Sequence, residues 1–176
     1  IECVATAWAQ ESTAARSAAA LPAIAIRDVT VIDGTDAPPQ AHRTVLLQDG
    51  RIAAIGGGGL AIPDGSTTID AAGKWLVPGL WDMHVHMTAM PGFAEMFVAN
   101  GVIGVRDMFA MPSQIAAVAK AIAAGERTGP RIVCAGRIVD GEQPIWPGSI
   151  EAKNEADGTA AVATAIDEGS AFVKVY

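Results

Sequence analysis

The apolar positions of this chain change their spacing near its middle, and that change divides it. Before His84 they recur in short, β-branched runs bounded by turn residues, the mark of strands. Ala23–Gly34 is strand-rich and ends in a turn. Ala37–Gln40 is a loop. Thr44–Gly56 predicts a hairpin whose two-residue turn is Asp49-Gly50, where glycine tolerates the positive φ required. The glycine run 56–59 is flexible, and no Lys-Ser/Thr follows it to make a phosphate loop. Thr67–Lys74 adds another strand and turn. Strands this close together predict a small β-domain over 23–74. Downstream, strands alternate with helices. A helix is predicted over Pro91–Asn100, a strand over Gly101–Met108, and a helix over Ser113–Ala124 with Ser113 as its N-cap. Further on come a strand over Arg131–Gly136, a long loop over Arg137–Asn154, a helix over Asp157–Glu168 and a strand over Ala171–Tyr176. Alternation of this kind implies a parallel α/β sheet with crossover helices.

Between the two patterns stands Trp75-Leu76-Val77-Pro78-Gly79-Leu80-Trp81-Asp82-Met83-His84-Val85-His86. It holds two of the three histidines in the chain. On a strand, positions i and i+2 share a face, so His84 and His86 present both imidazoles on one side, as two metal ligands should. The apolar runs around Pro78-Gly79 lead into the pair as a buried strand leads ligands to its C-terminal end. Lys174 lies 90 positions after His84, or three βα units of roughly 30 residues each. That count places Lys174 at the end of a fourth strand if His86 ends the first. Two readings of Lys174 stand on the residues alone: a functional group held among Phe172, Val173, Val175 and Tyr176, or a strand lysine that snorkels to solvent.

Composition narrows the classes. Across 176 residues, hydrophobic side chains make up 51% and charged ones 18%, enough apolar content for a core. The net charge of −7 and pI near 4.8 argue against nucleic acid or an anionic membrane as partner. No stretch reaches the roughly 18 apolar residues of a membrane span. Cys3 and Cys134 make no disulfide framework, and Cys134 in its apolar run is expected to be a small buried hydrophobe. Val4–Ala9 followed by Gln10-Glu11 has the form of a signal-peptide end with an Ala7-x-Ala9 cleavage site. Residues 1–22 are therefore expected to be a signal remnant or an Ala-rich leader. The first implies a periplasmic or secreted protein and the second leaves the cytoplasm open.

The stretch Leu76–His86, with Arg106-Asp107 and Phe172-Val173-Lys174-Val175-Tyr176, resembles the metal-dependent amidohydrolase superfamily, in the branch of imidazolonepropionase and the Xaa-Pro dipeptidases. The resemblance runs from about Ile24 to Tyr176. It implies the first half of a TIM-like (β/α)8 metal-dependent hydrolase barrel over 75–176, preceded by part of a composite β-sandwich over 23–74. It further implies hydrolysis of an amide, dipeptide or cyclic-amide C–N bond in a small-molecule substrate. His84 and His86 would be ligands in a centre of two divalent metals, zinc by donor type, and Lys174 would be a carboxylated lysine bridging them. Two more histidines and a general-base aspartate belong to the pattern, and no residue here matches them; His42 sits in the β-domain segment and is expected on the surface. The expectation is thus an N-terminal fragment, inactive by itself. Two alternatives remain: a non-catalytic truncated or scaffold chain, and a mononuclear deaminase of the same superfamily, which Lys174 disfavours. Oligomeric state is open, a homo-oligomer included.

Four further residues are singled out. Asp82 either orients a ligand from one layer deeper or pairs within the barrel. Arg106 and Asp107 are expected to form a structural ion pair or, as the alternative, a substrate clamp. Trp146, in the loop after the third barrel strand, is either a pocket wall or an ordinary surface residue.

Overall fold

The computed structural model describes residues 22–89 and 92–176. The expected leader over 1–22, all but its last residue, lies outside the described residues, as does Pro91, the expected start of a helix. The chain divides into a unit ending at Pro78 and a second unit, Gly79–Tyr176.

The first unit is one sheet of β1 (Ile24–Val31), β2 (Gln40–Gln48), β3 (Arg51–Gly56), β4 (Thr67–Asp70) and β5 (Trp75–Leu76). The order is β3-β2-β1-β4, with β5 also on β1. β2 runs antiparallel to both β1 and β3. β4 and β5 lie parallel to β1 at successive lengths, beside Ile24–Arg27 and Thr30–Val31. Val29, Val31, Val45 and Ala71 form the buried centre, flanked by Ile26, Leu47 and Leu76. Asp49 and Gly50 both take positive φ, 50° and 72°, as the predicted hairpin turn requires. β2 starts at Gln40, earlier than the apolar pattern indicates, because Gln40 and Arg43 pair through their backbones with Val31 and Val29. Among the described residues this unit is a single layer, and Ile52, Ile55 and Ile69 are exposed on it.

The apolar runs on either side of Pro78-Gly79 lie on two strands. Trp75-Leu76 pairs with β1, while β6 (Leu80–Val85) begins the second unit. Pro78, with no N–H for a ladder, separates them. The two units divide after Pro78.

The second unit contains β6, a 3-10 turn at Met87–Ala89, α1 (Phe93–Ala99), β7 (Val102–Asp107), α2 (Pro112–Ala123), β8 (Arg131–Cys134), β9 (Val139–Asp140), β10 (Ile150–Glu151) and α3 (Glu155–Asp167). β6, β7 and β8 form a parallel sheet in that order; β9 and β10 make a short parallel pair. Val85, Met87, Ala94, Val105, Ala110 and Ile115 are the core, with Phe97, Ile122 and Ile132 against it. Gly104 is required by its neighbour: a Cβ there would overlap the Trp81 ring. No helix among the described residues is long and apolar enough to cross a membrane.

Three local expectations are corrected. Ser113 is inside α2 and not its cap: the helix begins at Pro112, with Met111 at the N-cap and no side-chain cap bond, because proline suits the first turn unaided. α3 begins at Glu155, since Asn154 accepts from the Asp157 N–H at 3.0 Å while Asp157 accepts from the Lys153 N–H. Ala171–Tyr176 is not a regular strand. It makes one bridge, Val175 to Val139, and backbone bonds from Ala171 N–H to Cys134 O and from Val139 N–H to Lys174 O, both 2.9 Å. The neighbouring backbone turns at Gly136, φ 68°, and leaves no continuous partner for a ladder.

Candidate metal centre

Parallel pairing brings three strand ends level. Val85 lies opposite Asp107 and Asp107 opposite Cys134. Val85 turns into the core, and it is flanked by His84 on β6 and His86 just beyond the strand. Their ring centroids are 5.7 Å apart with planes at 62°. Two imidazoles on one tetrahedral zinc, with bonds of about 2.0–2.1 Å, have centroids roughly 5 Å apart. The separation here is of that order, and nitrogen donors suit that metal. The strand carrying them is irregular: the β6–β7 register slips between Asp82 and Val85, and the Asp82 carboxylate accepts the backbone N–H of His84 at 3.1 Å. Asp82 thus holds the local backbone of His84.

Asp107 is fully buried. One carboxylate oxygen accepts the Met87 N–H at 2.6 Å and the other the Phe109 N–H at 3.1 Å. The Cys134 thiol lies 3.9 Å from the latter oxygen. Burial pushes the carboxyl above its usual range, against the pull of the Met87 and Phe109 amides, nearby His86 and the Cys134 thiol. Cys134, half-buried rather than fully buried as expected, is pushed up to about 11 by burial, with the Asp107 carboxylate adding to the shift and the Gly136 N–H opposing it. The structural role of Asp107 was not legible beyond an acidic residue closing the apolar run Val102–Val105.

Arg106 does not pair with Asp107. Its guanidinium carbon stands 4.6 Å from the Phe172 ring centroid and it reaches Met108 Sδ at 3.6 Å. Adjacent strand residues point to opposite faces, so a strand neighbour is the wrong place for an ion-pair partner. Lys174 is half-buried, with its ammonium 5.3 Å from the Tyr176 ring centroid. Among the described residues no cluster of three or more His, Cys, Asp and Glu is placed to hold a metal. The structure thus brings His84 and His86 together without a third ligand of those types. Trp146 packs on Phe109, 6.3 Å between centroids, joining the connection between β9 and β10 to the loop that follows β7. His42 is exposed in the first unit, as expected, its Nδ1 2.7 Å from Asp28.

No protein-family model matches the chain. A dihydroorotase of Trichlorobacter lovleyi is 54% identical over 43 residues, 24% of this chain and 10% of its own length. Molinate hydrolase shares the fold at a TM-score of 0.60 with 29% identity, over 67% of this chain and 30% of that one. A Xaa-Pro dipeptidase solved with methionine in its active site has a TM-score of 0.71 at 20% identity, over 87% of this chain and 46% of that one, a likeness of fold. The matched segments cover 10–13% of the curated relatives, and the chain spans under half of these solved chains.

Proposed function

We propose that this chain is part of an amidohydrolase, as its likeness to a dihydroorotase and to molinate hydrolase supports, and that the protein hydrolyses a C–N bond of an amide, dipeptide or cyclic amide at a binuclear metal centre built on the C-terminal end of β6. The observation that carries the proposal is the side-by-side placement of the His84 and His86 rings at the level edge of a parallel sheet, where enzymes of this architecture keep their sites. β6, β7, β8 and the segment Ala171–Tyr176 are proposed as the first four strands of an eight-stranded barrel, and the first unit as one part of a composite sandwich.

Divalent metals, zinc by donor type, supply an activated water and polarise the scissile carbonyl when bound. His84 and His86 would hold one of them by imidazole nitrogen, with Asp82 fixing the His84 backbone. Lys174, as a carbamate formed from its neutral amine and CO2 with release of a proton, would offer two oxygens to a metal pair. His42 belongs to the first unit and the chain has three histidines in all, so two further histidine ligands would come from outside this sequence; a general-base aspartate completes the proposed centre. A small organic substrate, no nucleic acid and export by a cleaved leader complete the proposal.

The test uses the protein from its full reading frame. Two divalent ions per chain are expected, with chelator-sensitive turnover of a Xaa-Pro dipeptide or a cyclic amide. Both should be lost in His84→Ala/His86→Ala. Full metal content in that variant would overturn the assignment. The 176-residue chain alone is expected to be inactive, and chelator-sensitive turnover by it would refute the need for further ligands.

A further inference from the structure

Asp107 is the only charged side chain that the fold buries completely among the described residues. An unpaired buried carboxylate is strongly unfavourable, so its partners show what it is held for. The shorter of its two bonds to backbone amides, 2.6 Å, goes to the N–H of Met87, the residue after His86. The other goes to Phe109, at the start of the loop after β7. Its own backbone is locked on both sides: the Asp107 carbonyl accepts the Ala135 N–H at 2.9 Å, and the Met108 N–H reaches the Val85 carbonyl at 2.9 Å. The carboxylate therefore anchors the 3-10 turn at Met87–Ala89 to the middle strand of the sheet.

We infer that Asp107 is a positioning residue for His86: by gripping the Met87 amide it fixes the peptide that leaves His86, and with it the direction of that imidazole. The purpose of this grip, to present His86 to a metal, rests on the function proposed above; the grip itself is a matter of geometry. His84 is held differently, through Asp82, so a loss at Asp107 acts on one histidine of the pair. Backbone anchoring of this kind complements the side-chain partners that usually orient ligating histidines.

The test compares Asp107→Asn with Val105→Ala, a fully buried core position two residues away on the same strand with no bond to the turn. In the metal-free full protein, imidazole 15N resonances of His84 and His86 and exchange of the Met87 amide are recorded; zinc affinity is then measured by competition with a chromophoric chelator. Asp107→Asn is expected to shift His86 but not His84, to release the Met87 amide, and to lower zinc affinity about ten- to a hundredfold; Val105→Ala should do none of these. Unshifted His86 and unchanged Met87 exchange in Asp107→Asn overturn the inference, even if zinc is bound. A His86 shift in protein that takes up no zinc leaves the positioning intact and removes the metal reading. Should Asp107→Asn fail to fold, the wild-type protein decides: a Met87 amide exchanging as slowly as that of Val105 supports the grip, and one exchanging as fast as that of exposed Thr88 refutes it.

Discussion

The two units use similar residues over contacts of different range. In the first, β2 and β3 are joined by two residues, and β1 pairs β2 antiparallel across a short loop. Its one histidine ends up exposed beside Asp28. In the second, every strand pair is parallel, and each crossing needs a helix or long connection before the chain returns. That topology sets His84, His86, Asp107, Cys134 and Ala171 at one edge though they are far apart in the sequence. The first unit has parallel pairs too, β4 and β5 on β1, but they bring only turn and core residues together, whereas those of the second gather chemistry-bearing ones. The difference extends to burial: among the described residues the first unit buries only the neutral Thr44 of its polar side chains, while the second buries a carboxylate with both oxygens engaged.

The largest break in this contrast should come from placing a charge in one core alone. Val105→Asp puts an unpaired carboxylate at a fully buried position and should destabilise the second unit by about 4 kcal/mol or more. Hydrogen exchange should then show protection lost over 79–176 and kept over 22–78. Val45→Asp should give the reverse, and simultaneous loss in both units would show that they fold as one.

Removing the histidine pair is next in size. His84→Ala/His86→Ala should lower zinc affinity at least about a hundredfold with an unchanged far-UV circular dichroism spectrum. Gly104→Ala forces a methyl against the Trp81 ring and should cost about 2–3 kcal/mol in thermal or denaturant unfolding.

A smaller effect depends on pH. The Cys134 thiol ionises at about 11 in the fold against 9.0 ordinarily. The folded state holds that proton more tightly, so the contribution is complete below pH 9.0 and is lost as pH rises through about 11. Melting between these limits should fall by about 1–2 kcal/mol, allowing for partial exposure of the thiol, and Cys134→Ala should flatten the fall. Smallest of all, Gly50→Ala places a side chain at φ 72° and should weaken only the first unit, by about 1 kcal/mol.

Much of this was legible in the chain itself, for stated reasons. The Asp49-Gly50 turn needs nothing beyond its two residues. The alternation of strands and helices after His84 follows from spacing. The His84-x-His86 pair needs only an extended backbone to place two imidazoles on one side. What stayed hidden depends on partners remote in sequence. Polar Gln40 and Arg43 join a strand because Val31 and Val29 lie opposite. Trp75-Leu76 joins the first unit because β1 offers it a ladder. Ala171–Tyr176 has strand composition but no continuous neighbour. Arg106 and Asp107, adjacent in the chain, face different surroundings because a strand alternates. Residue order determined which groups could act and on which elements they ride. Only the tertiary structure decided that Asp107 is buried beneath the turn after His86, because hydrogen-bond partners and burial are set by strand pairing across many residues rather than by local preference.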